Sequence, residues 1–366
     1  MILKYLLKWA PFKIDALGLV TLLGSEEVNH AVGTLTVNRV AEFLPLMGGH
    51  VIASDSIRQP ISGFTLYNIS DGICAPDVAG WFSRWLLTQG LTYNATTLTI
   101  DLVCHSSSAR SRSFGAMGLG ISICIVSVFL SIFMVDGWAF TNAVALTVSV
   151  LLRSAMLRAL RRAVDSSATL ASHQSHDLVK TMWRLSDGSS VIIYTSRGLI
   201  TECLLTNPKP HHHEWYRVYR IASWASFIIH IISIGMAALP NQLLCVTVMA
   251  LSTACITMGI ARDNQIIGSM IRVRRFDHKG PSQSMAAMFA RLRLNHEEEK
   301  CLVSWRLMPS KRNRLWWRKY QDCLSKNAIN AFDNWKEKET WTECESLLRN
   351  EEMQLHTEGL QDLRNT

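Results

Sequence analysis

A chain of 366 residues with 48% hydrophobic side chains but only 18% Asp, Glu, Lys and Arg falls below the roughly 25% charge of an ordinary soluble domain. Nine scattered cysteines without a CxxC pair, 20 Gly and 9 Pro exclude a disulfide miniprotein, a collagen-like repeat and disorder throughout. A mean hydropathy of +0.13 is too low for a wholly buried transporter, so a membrane portion must share the chain with a larger water-soluble portion.

The net charge of +8 is uneven: residues 333–366 hold nine acidic and four basic side chains, a balance of −5, which leaves about +13 on the rest. Much of that positive charge flanks apolar segments, so lipid headgroups explain it before nucleic acid does. Reduced thiols fit an odd number of cysteines without ligand spacing.

In chain order, residues 1–24 hold Lys4, Lys8, Lys13 and Asp15, leaving nine uninterrupted residues, too few to cross a bilayer. Leu3, Leu6, Leu7 and Trp9 with the two lysines suit an interfacial amphipathic segment. Residues 25–109 read as a mixed α/β unit, with a helix at 76–89 and a strand at 98–103. Residues 105–113 form a Ser/Arg juxtamembrane linker.

Residues 113–135 carry no charge for 23 positions, enough to span about 30 Å as a helix. A second span follows Asp136-Gly137, giving a transmembrane hairpin over 113–157. Residues 221–261, divided by Pro240-Asn241-Gln242, give a second hairpin. Arginines flank the outer ends of both hairpins, and the two turns contain no Lys or Arg, so all soluble segments and both termini are expected in the cytosol. Which membrane is not specified. The sequons at Asn68 and Asn94 are therefore expected to stay bare.

Between the hairpins, residues 177–206 predict a three-stranded antiparallel meander over 180–185, 191–195 and 199–205, punctuated by Asp187-Gly188 and Arg197-Gly198. Residues 281–366 predict a cytosolic helical tail. Within it Arg306, Lys311, Arg312, Arg314, Arg318 and Lys319 interleave with Trp316 and Trp317, a pattern suited to a lipid surface. The fold class is thus a membrane protein with four transmembrane α-helices as two hairpins, a cytosolic α/β amino-terminal unit, a small β-meander and a helical carboxy-terminal region.

Chemical motifs are sparse. His230 lies mid-span, where an ionisable group is costly, with Ser223, Ser226 and Ser233 on roughly its face. A neutral histidine gluing helices is the favoured explanation, and a catalytic or ligand role the minority one. His211-His212-His213 has no metal-ligand spacing, and no Walker A, GxSxG or GxGxxG motif occurs, so no metal and no cofactor is expected. Small residues four apart, Gly118/Ser122 and Ala250/Ala254, suit close helix contact within the bundle or between copies in a homo-oligomer.

Arg58-Gln59-Pro60-Ile61-Ser62-Gly63-Phe64, the helix around Trp81, Arg197-Gly198-Leu199 and Trp215-Tyr216-Arg217 resemble a group of fungal multi-pass membrane proteins of unknown function, over residues 15–280. The resemblance implies a multi-pass fold and no activity. The leading expectation is a membrane scaffold or accessory protein that binds the bilayer and, through its carboxy-terminal tail, a cytosolic protein partner, with no nucleic acid. An integral-membrane enzyme acting on a lipophilic small molecule (lipid, isoprenoid or secondary metabolite) through His230, and an oligomeric transporter, are the other classes weighed.

Overall fold

The structure, a computed structural model, describes residues 25–38, 42–46, 53–91, 94–103, 113–174, 177–258, 262–277 and 284–326. The expected interfacial segment over 1–24, residues 105–112 of the Ser/Arg linker and the acidic stretch 333–366 lie outside the described residues, and Ser113 opens the first apolar helix.

Among the described residues eight strands form one mixed sheet: β1 (Thr36–Asn38), β2 (Thr65–Asn68), β3 (Ile73–Ala75), β4 (Thr96–Leu102), β5 (Leu178–Arg184), β6 (Ser190–Ser196), β7 (Arg262–Ile267) and β8 (Ile271–Asp277). Their order is β1-β7-β8-β4-β6-β5-β2-β3, and every pairing is antiparallel except β4 with β6. That exception follows from the long connection after β4, because a parallel neighbour needs a crossover that a tight turn cannot supply. The amino-terminal unit, the expected meander and residues 262–277 are therefore parts of one sheet.

Two corrections accompany this. The residues expected as the third meander strand are helical, as α5 (Arg197–Leu199) continuing in a π-helical turn (Ile200–Leu204). Leu199, Ile200, Cys203 and Leu204 are all buried, a spacing that belongs to a helix face rather than to period-two alternation. The Ser196 hydroxyl accepts from the Leu199 N–H at the helix start, and Gly198 passes so close to Ala171 that a Cβ there would collide with its carbonyl. The place beside β6 is taken by β4. Second, the apolar run expected to continue to residue 261 ends as a helix at Thr257, and the chain re-enters the sheet as the β7–β8 hairpin.

The helix expected over 76–89 is α2 (Gly80–Leu87). The two apolar hairpins are α3 (Ser113–Phe133) with α4 (Gly137–His173), and α6 (His213–Met236) with α7 (Leu239–Thr257). By length and composition α4, α6 and α7 are apolar and long enough to cross a membrane; the described apolar stretch of α3, Gly118–Phe133, is shorter. At 1.5 Å per residue the 37-residue α4 is about 55 Å long.

Helix α4 joins two cores. Near its start Leu146 packs with Ile234 and Met249 of α6 and α7. Beyond it Leu157, Leu160, Val164, Ala168 and Ala171 lie under the sheet face made by Leu98, Ile100, Val179, Trp183, Val191, Ile193 and Val273, together with α1 (Ser25–Val32) and α2. The alternate residues Met182, Ile192 and Tyr194 point to the opposite face, covered by α8 (Met285–Arg291), α9 (His296–Ser304) and α10 (Arg314–Lys326). Asp165 of α4 accepts from the N–H and hydroxyl of Ser269, fixing the β7–β8 turn where Gly268 takes φ +61°.

Candidate functional site

Buried arginines decide how the amino-terminal unit sits on the helices. Arg153 of α4 donates to the carbonyls of Glu42 and Leu44; Arg161 donates to those of Leu35 and Thr36, at 3.2 and 3.0 Å, and pairs with the Glu42 carboxylate. Arg220 of α6 donates to Ala53 O at 3.0 Å, and Tyr216 donates to Asp55 Oδ1 at 2.9 Å. Guanidinium groups suit this work because one planar fork reaches several carbonyls at once. Arg84 of α2 does the same for residues 56–59, reaching the carbonyls of Ser56, Ile57, Gln59 and Gly80, and burial lowers its pKa to about 10. Of these, Arg153, Arg161 and Arg220 were legible in the sequence only as flanking charge for membrane orientation, and Arg84 carried no signal there.

The clamp on residues 42–46 shapes a cavity. Phe43 is laid against Gly120 so closely that a Cβ there would meet its backbone, and only glycine admits this approach. Beyond the contact α3 and α4 part, leaving a half-open space of about 530 Å³. Ile121, Ile125, Val128 and Phe129 line one side, Val150 and Leu151 the other. Its end nearest the sheet is closed by Phe43 and Arg158. The Arg158 guanidinium donates to Ser154 Oγ at 2.7 Å and lies 5.9 Å from the Phe43 ring centroid. Among the described residues it is paired with no carboxylate. The volume falls inside the range of about 300–1,000 Å³ usual for small-ligand sites.

No family model matches the chain, and no curated protein or solved structure does either.

At the far end of the helices, Asp136 is a hub. Its Oδ1 caps α4 through the N–H groups of Trp138 and Ala139, both at 3.1 Å. Its Oδ2 accepts from Ala238 N–H and Asn241 Nδ2, both at 2.9 Å, so the turns of the two hairpins are tied together.

His230 is 3% exposed, with neither ring nitrogen hydrogen-bonded. Ser226 donates instead to Ala145 O, and Ser233 to Ile229 O, both at 2.6 Å. His230 lines neither the large cavity nor the small polar one formed by Asn142, Asn241 and Cys245. Among the described residues the structure thus buries Ser223, Ser226 and Ser233 on the same helix as His230, with their hydroxyls bonded elsewhere than to its ring.

The carboxy-terminal row divides. Arg306, Lys311, Arg312, Arg314, Arg318 and Lys319 are exposed. Trp316 and Trp317, expected on the same lipid surface, are half-buried: Trp316 stacks on Tyr320 at 5.6 Å beside Phe289, and Trp317 donates to Pro309 O and Ser310 O. Lys311 sits 4.4 Å over the Trp317 ring and pairs with Glu299 at 3.1 Å. The two tryptophans serve the core under α10, and the exposed basic row keeps one apolar side chain, Leu315, at 79% exposure. Burial raises the Tyr320 pKa. Gly118, Ser122 and Ala250 face outward, so these small residues make no close contact inside the bundle. Among the described residues no group of His, Cys, Asp and Glu is arranged to hold a metal.

Proposed function

We propose that the chain is a membrane scaffold or accessory protein with four spans in two hairpins, which holds its sheet domain rigidly on the cytosolic side and offers the basic face of α10 to an acidic partner. The observation that carries this is α4. Roughly 30 Å of it matches a hydrocarbon core, and the remaining length runs without a break into the core of the sheet. An anchor joined to its cargo by a continuous helix transmits position and orientation, which a linker would not.

Other features support the reading. Trp138, Phe140, Ile229, Ile232, Leu251 and Phe129 expose 41–65% of their surface, an apolar belt far beyond what a soluble monomer carries. The Asp136 bonds put both hairpin tips at one end, in keeping with both pairs entering from the same side. Asn68 and Asn94 are 5% and 1% exposed and tied into the sheet, Asn68 to Asp71 and Asn94 to the Ser190 N–H. A glycan on either would prevent this fold, which suits a compartment without glycosylation.

Alkaline carbonate extraction with protease protection tests the reading: the chain stays in the membrane and the sheet is cleaved only from the cytosolic side. Arg312→Glu, Arg314→Glu and Arg318→Glu together abolish a salt-sensitive protein capture while leaving membrane retention intact. Deleting residues 281–366 is a poorer test, because it uncovers Met182, Ile192 and Tyr194.

A further inference from the structure

We propose that the cavity between α3 and α4 is a site for one phospholipid with an anionic headgroup, its acyl chain between the helices and its phosphate on Arg158. The inference rests on the membrane-spanning reading above and adds to it a ligand.

The cavity is graded as such a lipid is graded. Phe129 and Thr147 lie toward the hairpin tip, and Ile125, Val128, Val150 and Leu151 are apolar walls. Phe43, Gly120 and Arg158 mark the end nearest the sheet. Arg158 lies 21 residues beyond Gly137, about 32 Å along the helix, so a bilayer whose far surface meets the tip has its near headgroups at this arginine. Arg162, one turn on, is exposed as well. The chain invests structure in the mouth: Arg153 and Arg161 hold residues 42–44 in place, so that Phe43 closes one side and its ring steadies the Arg158 guanidinium. Arg153 and Arg161 spend their donors on backbone and Glu42, whereas Arg158 keeps most of its fork free for phosphate oxygens. A cation with no carboxylate partner among the described residues, set above an apolar, acyl-sized slot, complements an anionic lipid better than a neutral one.

The test uses the full chain in phosphatidylcholine nanodiscs doped with phosphatidylglycerol that carries a diazirine in its acyl chain. Photolabel is expected on α3 and α4 peptides containing Ile125 and Leu151, and is competed by unlabelled phosphatidylglycerol but not by phosphatidylcholine or inorganic phosphate. Arg158→Gln, a change at an exposed position, weakens the competition about ten-fold, the worth of one lost charge-assisted hydrogen bond. Ile125→Trp, which fills the slot, removes the label. Equal labelling by a phosphatidylcholine analogue, or labelling unchanged in Arg158→Gln, overturns the proposal. So does capture of a second copy of the chain by a bismaleimide at Cys124, which lines the slot on α3, since that places protein in it. Release of the chain by carbonate defeats the membrane reading itself; retention with uniform labelling defeats only the lipid site.

Discussion

The two halves of α4 are one helix in two surroundings. Over residues 137–157 apolar side chains turn outward as well as inward: Trp138, Phe140, Val144, Val148 and Leu151 are 40–57% exposed. Past Arg158 most apolar residues gather on one face, with Leu160, Val164, Ala168 and Ala171 at 0–1% exposure, while Arg162, Ser166 and Thr169 face out together with one apolar side chain, Leu170. The first half shows apolar side chains on its outward faces and the second is amphipathic, a contrast that suits a helix bordering an apolar surrounding at one end and packed on a sheet at the other.

The most disruptive test of that comparison is to insert one Ala between Leu157 and Arg158. Continuing the helix turns everything beyond by about 100° and removes Leu160, Val164 and Ala168 from the sheet together. The expected loss exceeds about 4 kcal/mol for the sheet domain. Limited proteolysis should show the sheet digested and the apolar helices still membrane-bound; a protease-resistant sheet would mean that the two halves are not rigidly coupled.

A milder version compares single side chains. Leu160→Ala leaves a cavity at a site 0% exposed, and about 2–5 kcal/mol is expected to go. Val148→Ala, at a site 40% exposed, is expected to shift stability by under about 0.5 kcal/mol. Thermal unfolding followed by tryptophan fluorescence separates these outcomes, and equal losses would contradict the assignment of the first half to a lipid-facing role. At the tip, Asp136→Ala removes the α4 cap and leaves Ala238 N–H without its acceptor, for about 1–3 kcal/mol. Asn241→Ala, which removes one of those bonds, should cost less.

How far the sequence foretold this follows from the same contrast. Charge-free runs located the apolar helices because apolar side chains are all such a run requires, and the arginines after residue 157 closed the expected span, but nothing local foretold that α4 would continue past them under the sheet. The β5–β6 hairpin was legible in Asp187-Gly188, where Gly188 takes φ +81° and Asp187 accepts from Ser189. The β7–β8 hairpin was not, because Arg272, Arg274 and Arg275 read as flanking charge; the alternation of Ile271 and Val273 with those arginines was the available signal. Leu199 to Leu204 misled because β-prone residues stand in a helix that is decided by packing on α4. The cavity was invisible: Phe43 and Arg158 are 115 positions apart, and nothing local pairs them. His230 was legible as a rare polar group in an apolar run, and its burial follows from its place on the inner face of α6 with Ser226 and Ser233.

The smallest effect concerns pH, and it reports on the sheet half alone. Asp71, beside β2, accepts from Arg197 at the start of α5 and from Asn68 Nδ2 at 2.7 Å, and the arginine bond holds its carboxyl below the usual carboxylate value. A carboxyl whose folded pKa is depressed stabilises the fold above its unfolded pKa, near 4, and loses that contribution as pH falls through the lower folded value. Asp71→Asn removes the titrating group but keeps a polar side chain. The variant should be slightly less stable than the parent at neutral pH, with the gap closing below about pH 4. Because the pair is partly exposed, about 0.15 M salt already weakens it, so the comparison belongs at low ionic strength. A gap that persists unchanged into acid would show that the bond to Asn68, rather than the ion pair, is what this corner of the sheet requires.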